Sequence, residues 1–225
     1  MQLTSTLAVV VAVMAFGCFN IHAAPTTIQV YDQTGKPLQD AVVLAPSEQQ
    51  PTNAEANRVK APAIMDQINK AFVPKVLSIE EGRSVSFPNS DNIRHHVYSF
   101  SAPKTFELKL YAKQPEHPIA FEEPGIVVLG CNIHDHMIGF IVVSDTGNWG
   151  QTDHQGQTTL DLNGDIQSLR VWHPDLQSGF NAMENTTVNQ IGSQATVTIQ
   201  VHVKPPPDTS EKRGFGSDRF KAHGR

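Results

Sequence analysis

Two unbroken apolar runs flank a short polar loop past the middle of the chain. Residues 125–130 (Gly-Ile-Val-Val-Leu-Gly) and 138–143 (Ile-Gly-Phe-Ile-Val-Val) are rich in β-branched side chains and too short for ordinary helices, so they predict strands buried on both faces. A tight connection through residues 131–137 lets the two strands pair and presents that loop at one end of a sandwich. Elsewhere the pattern alternates with a period of two, the signature of half-buried strands. Residues 27–31 alternate, turn through 32–37 and resume at 41–44. Residues 158–162, 168–172 and 195–201 read the same way, with turn residues at 152–156 and 163–165. The fold class is therefore all-β.

Segments without a period mark the boundaries. Residues 48–63 mix Pro, Gln, Asn and Ala and predict a linker, whereas 205–225 begin with Pro205, Pro206 and Pro207 and continue as a polar, mildly basic tail. Residues 7–24 are apolar through Phe16 and end in His22, Ala23 and Ala24, which predicts an export signal over 1–24 and a periplasmic or otherwise exported protein. The alternative is a lipid anchor at Cys18. The apolar core of this segment is too short to span a bilayer, and no later segment is longer.

Charge and cysteine count narrow the chemistry. The net charge is -5 and the Lys and Arg residues are scattered, so a nucleic-acid partner is not expected. No paired carboxylates, Gly-rich phosphate loop or Ser-His-Asp set stands out, so no enzymatic turnover is expected. Asp161, Asn163 and Asp165 alternate like a calcium loop, yet Ile166 stands where that loop needs Gly. Of the two cysteines, cleavage after Ala24 would leave Cys131 alone, a thiol exposed to oxidation in an exported protein unless something occupies it.

The loop offers an occupant. Cys131, His134 and Met137 bring a thiolate, an imidazole and a thioether into one turn, and soft sulfur with imidazole favours copper. A blue-copper site takes two His, one Cys and a weak axial Met. The missing imidazole is expected from residues 87–100, which hold His95 and His96. By strand alternation His96 faces away from His95, and His136 is expected toward solvent or beside the ligands.

In these residues the chain resembles the cupredoxin family. Asn89 with His95 is similar to the family's first ligand strand, the Cys-x-x-His-x-x-Met spacing of 131–137 resembles the amicyanin ligand loop, and Gly125 keeps its place six residues before the Cys. Arg94, His96, Asn132 and Ile133 depart from the usual pattern. The resemblance covers about residues 64–146 and implies a Greek-key sandwich holding one type 1 copper, with His95, Cys131 and His134 in plane and Met137 axial. It implies a carrier of single electrons between a redox donor and an acceptor. Copper carriage or sensing, and a structural sandwich with a vestigial loop, are the other readings.

A second resemblance concerns the flanks. Asp32, Gly35, Pro37, Leu38 and the run 41–43, taken with Thr152, Asp153 and Gly156, are similar to carboxypeptidase-regulatory or transthyretin-like domains. In those the two motifs lie close together. Here they imply a small sandwich split between 25–47 and 147–204, with the copper unit inserted. His173 either ends a strand or offers one more donor.

Overall fold

The computed structural model describes residues 24–46, 61–115, 117–162, 168–188 and 196–205. The expected export signal with Cys18, most of the linker, the turn at 163–165 and nearly all of the tail lie outside the described residues. Among the described residues all regular structure is strand. In chain order the strands are β1 (Ala24–Tyr31), β2 (Val42–Leu44), β3 (Ala63–Ile64), β4 (Asp66–Ile68), β5 (Ala71–Val73), β6 (Val76–Glu80), β7 (Ser84–Ser86), β8 (His95–Ser101) and β9 (Lys104–Tyr111). They continue as β10 (Ile119–Ala120), β11 (Gly125–Gly130), β12 (Ile138–Ser144), β13 (Trp149–Gln151), β14 (Gln157–Leu162), β15 (Leu169–Trp172), β16 (Glu184–Thr186) and β17 (Thr196–Gln200). Ala63, at the end of the expected linker, already pairs with Val85 in β7.

Four sheets stack in succession with three apolar layers between them. The first, β14-β1-β17, faces the second, β13-β2-β15-β16, across Ile28, Val30, Val43, Leu160, Val171 and Ile199. The second faces the third, β6-β12-β11-β8-β9, across Val42, Leu44, Val76, Phe140, Val142 and Trp172. The third faces the fourth, β10-β7-β3, across Val85, Phe87, Val97, Val127, Leu129 and Ile141. The strands that open the chain are thus completed by strands from beyond residue 149, since β1 pairs with β14 and β17 and β2 with β13 and β15.

The stacking explains the unbroken apolar runs. β12 pairs with β11 from Gly125 opposite Val143 to Gly130 opposite Ile138 and runs parallel to β6 on its other side. Ile141 and Val143 point into one layer, Phe140 and Val142 into the next. Both faces are dry, so neither can be polar. In β2 the same logic sends Val43 to one layer and Val42 with Leu44 to the other. A one-residue slip would exchange these sets, which pins the register.

The middle layer joins the flanking sheets to the rest. Trp172 is fully buried, its ring 5.4 Å from that of Phe140, and its Nε1 donates to the Phe180 carbonyl at 2.7 Å. At the rim Gln151 Nε2 donates to the Val76 carbonyl at 3.1 Å and to Asp40 Oδ1 at 2.9 Å, while its Oε1 accepts from Ser78 Oγ at 2.7 Å. His173 follows β15 immediately. Its Nδ1 accepts the Asp175 N–H at 3.1 Å and its Nε2 lies 3.2 Å from the Gln39 carbonyl, with burial lowering its pKa. It stays among the flanking strands, outside the donor cluster described next.

Candidate metal centre

The β11–β12 hairpin carries the donor loop. Cys131 leaves β11 directly after Gly130, and the loop closes through Met137 N–H to the His134 carbonyl at 2.9 Å and Ile138 N–H to the His136 carbonyl at 3.1 Å. Cys131 and Met137 turn inward and join the apolar layer beneath the third sheet, at 4% and 1% exposure. His134 is half-buried, with Ile133 and Ile138 exposed on either side of it. His136 points to solvent.

β8 supplies the second imidazole. The β8–β9 ladder shifts register between His95 and Val97. His95 turns inward with no exposed surface, whereas His96 Nε2 meets Glu107 Oε1 on β9 at 2.8 Å and its ring lies 5.6 Å from Tyr98. The two neighbouring histidines therefore serve different surroundings, and only His95 joins the loop.

His95, Cys131 and His134 come together although β8 and the loop lie 36 residues apart in sequence. Cys131 Sγ is 3.8 Å from His95 Nδ1 and 3.7 Å from His134 Nδ1, and all three donor atoms fit within 4.8 Å of one another. The imidazole planes lie at 58° with centroids 5.0 Å apart. With metal–nitrogen bonds of about 2.1 Å and metal–sulfur bonds of about 2.3 Å, donors about 3.8 Å apart could share one ion, so the spacing would suit a metal held by all three. Two imidazoles and a thiolate, with a buried thioether in the same loop, form a donor set suited to copper. Cys131 is a free buried thiol.

Residues outside the donor set hold His95 in place. Its Nε2 meets Asp91 Oδ2 at 2.7 Å, and an ionised carboxylate only accepts, so Nε2 carries a hydrogen, and in the neutral ring Nδ1, 3.8 Å from Cys131 Sγ, is left with its lone pair. Asp91 in turn accepts the Asn69 N–H on Oδ1 at 2.6 Å and the Lys70 N–H on Oδ2 at 2.9 Å. Asn69 and Lys70 form the two-residue turn between β4 and β5, both at positive φ (53° and 60°), as in the mirror-image turns that match strand twist. Burial pushes the Asp91 carboxyl up, but the Lys70 N–H, the His95 ring and the Asn69 N–H together hold it below the usual carboxylate range. Asn89 fixes the loop itself: its Nδ2 donates to the Ile93 carbonyl at 2.9 Å and the Tyr111 carbonyl at 3.1 Å, and its Oδ1 accepts the Asp91 N–H at 3.0 Å. The sequence clue to Asp91 was an acidic residue four positions before a candidate ligand, a spacing that only the loop's fold makes meaningful.

No protein-family model matches the chain, and no curated protein matches it in sequence. Among solved structures it is similar to a copper-containing nitrite reductase (NirK) from Thermus scotoductus SA-01, at 26% identity over 52% of this chain and 28% of that one, with a TM-score of 0.36. It is similar also to a point mutant of amicyanin in its reduced Cu(I) form, at 21% identity over 45% of this chain and 98% of that one, with a TM-score of 0.35. A purple cupredoxin from Nitrosopumilus maritimus is matched at 24% identity over 38% of this chain and 100% of that one, with a TM-score of 0.33. The chain spans little more than a quarter of the reductase's length. What the centre can do is read from its own donor atoms.

Proposed function

We propose that the protein is a type 1 copper protein that carries single electrons between a redox donor and an acceptor. The observation that carries this reading is the placing of two imidazole Nδ1 atoms at 3.7 and 3.8 Å from one buried thiol. His95, Cys131 and His134 would hold the ion, and Met137 would supply a weak thioether donor. Copper, when bound, supplies a one-electron couple. Strands β8, β11 and β12 keep the donors at fixed spacing through that change, which keeps reorganisation small. The half-buried His134 edge, flanked by exposed Ile133 (51%) and Ile138 (46%), is the contact for both redox partners. On this reading residues 64–146 form the copper unit, inserted into a sandwich made from 25–47 and 147–204.

Two rates test the reading against copper delivery. Oxidised, copper-loaded protein is mixed with an inorganic electron donor in one experiment and with a copper chelator in another. Rapid reduction with the metal retained is the expected result. Sluggish reduction with ready loss of copper(I) would assign the site to delivery or sensing instead.

Met137 should tune potential more than affinity, because an axial thioether is a weak, soft ligand that favours copper(I). Met137→Gln is expected to lower the reduction potential while copper stays bound, as read by redox titration beside metal analysis. Loss of the metal would show that the thioether holds it, against the axial role.

A further inference from the structure

Resting on the copper reading, we infer that Asp91 is the positioning residue of the centre: it locks His95 in the tautomer that offers Nδ1 to the metal, and its charge favours the copper(II) state. His95 and His96 both meet a carboxylate at hydrogen-bond distance, but the two pairs differ in kind. The Glu107 side chain on His96 is 62% exposed, where water screens its charge. The Asp91 side chain on His95 is 13% exposed and the ring itself is wholly buried. A carboxylate accepting the far ring N–H of a metal-ligating His fixes the ring's orientation and raises its basicity, and loss of such a partner costs about 10–100-fold in metal affinity.

Both the carboxylate and the backbone of Asp91 are held. The β4–β5 turn aims the Asn69 and Lys70 N–H groups at its two oxygens, and Asn89 Oδ1 accepts its own backbone N–H. These donors offset the cost of taking a charge out of water. The ring cannot flip without leaving the Asp91 carboxylate facing no donor on that side, so His95 is preset for the ion before it arrives. A more basic imidazole stabilises the more highly charged oxidation state. The anion therefore sets the potential as well as the geometry.

The test uses the full chain with Asp91→Asn, and Asp66→Asn, at the start of β4, as a control that braces the same loop. Asp66 braces Ser90 through Oδ2 to Ser90 Oγ at 2.7 Å and Oδ1 to Ser90 N–H at 3.2 Å. Copper(II) affinity is read by chelator competition and the potential by redox titration. Asp91→Asn is expected to keep the coloured centre, lose about 10–100-fold in copper(II) affinity and rise in potential by about 59 mV for each tenfold loss confined to copper(II). Asp66→Asn is expected to keep the wild-type potential. An unchanged potential and affinity in Asp91→Asn, or an equal shift in Asp66→Asn, would overturn the inference. Ring-nitrogen NMR of metal-free wild-type protein decides the tautomer without copper: hydrogen on His95 Nε2 supports the assignment and hydrogen on Nδ1 refutes it. Failure of the copper reading is visible separately, as wild-type protein that takes up copper(II) without colour.

Discussion

Copper(II) added to the protein is expected to produce an intense blue or green absorption, and Cys131→Ser to abolish it. A thiolate bound to copper(II) gives strong ligand-to-metal charge transfer in visible light, whereas a serine hydroxyl is hard and stays protonated. The substitution is nearly isosteric at a site only 4% exposed, so the surrounding layer of Val127, Leu129 and Met137 should remain packed. Copper(II) affinity should fall by more than the about 10–100-fold typical of losing an outer-shell partner, because a ligand itself is gone. Absorption and paramagnetic resonance spectra of both proteins, with copper titrated in, are the check. Colour that survives in Cys131→Ser would mean that the thiol is not a ligand.

Trp172→Ala is expected to cost about 3–5 kcal/mol of stability, the range for removing a buried large aromatic. Trp172 is the largest fully buried side chain of the middle layer, packed with Phe140, Val142, Val42 and Leu44. Its removal opens a cavity where the second and third sheets meet. It also deletes the indole donor to the Phe180 carbonyl, leaving that oxygen to find water. Trp172→Phe keeps most of the ring and should cost markedly less. Chemical denaturation followed by fluorescence and by circular dichroism measures both variants. A loss below about 1 kcal/mol for Trp172→Ala, at the floor of what cavity-forming substitutions cost, would mean the sheets do not depend on each other.

The parts of this protein that could be read from its sequence are those whose physics is local. The alternation at 27–31 and 158–162 corresponds to β1 and β14, and the unbroken runs at 125–130 and 138–143 to β11 and β12, because burial on one or two faces writes itself into every second residue or into all of them. Strands without such a pattern were not legible. β4 and β5 are three residues each, too short to show a period, whereas β9 (Lys104–Tyr111) does alternate, with Phe106 and Leu108 half-buried between exposed Thr105, Glu107 and Lys109, and was readable from its pattern. The chemistry of Cys131, His134 and Met137 was legible for the same local reason: seven residues cannot carry them far apart.

Tertiary structure decided the remainder. Nothing in the order of residues says that Trp172 meets Phe140, since that contact depends on two sheets from different parts of the chain sharing an apolar layer. His95 was within reach of the sequence through resemblance alone; its separation from His96 followed from strand alternation, and the ladder shifts register at the same point. Asn89 was named beside it, but the rest of its support was invisible, because a turn at residues 69 and 70 and an aspartate at 91 act together only when β4, β5 and the loop before β8 lie side by side. Sequence by itself pointed to Cys131, His134 and Met137 as donors in one loop and to the strands that present them. Which nitrogen His95 turns toward the sulfur, and what holds it there, was set by hydrogen bonds between segments apart in the chain, which local pattern does not encode.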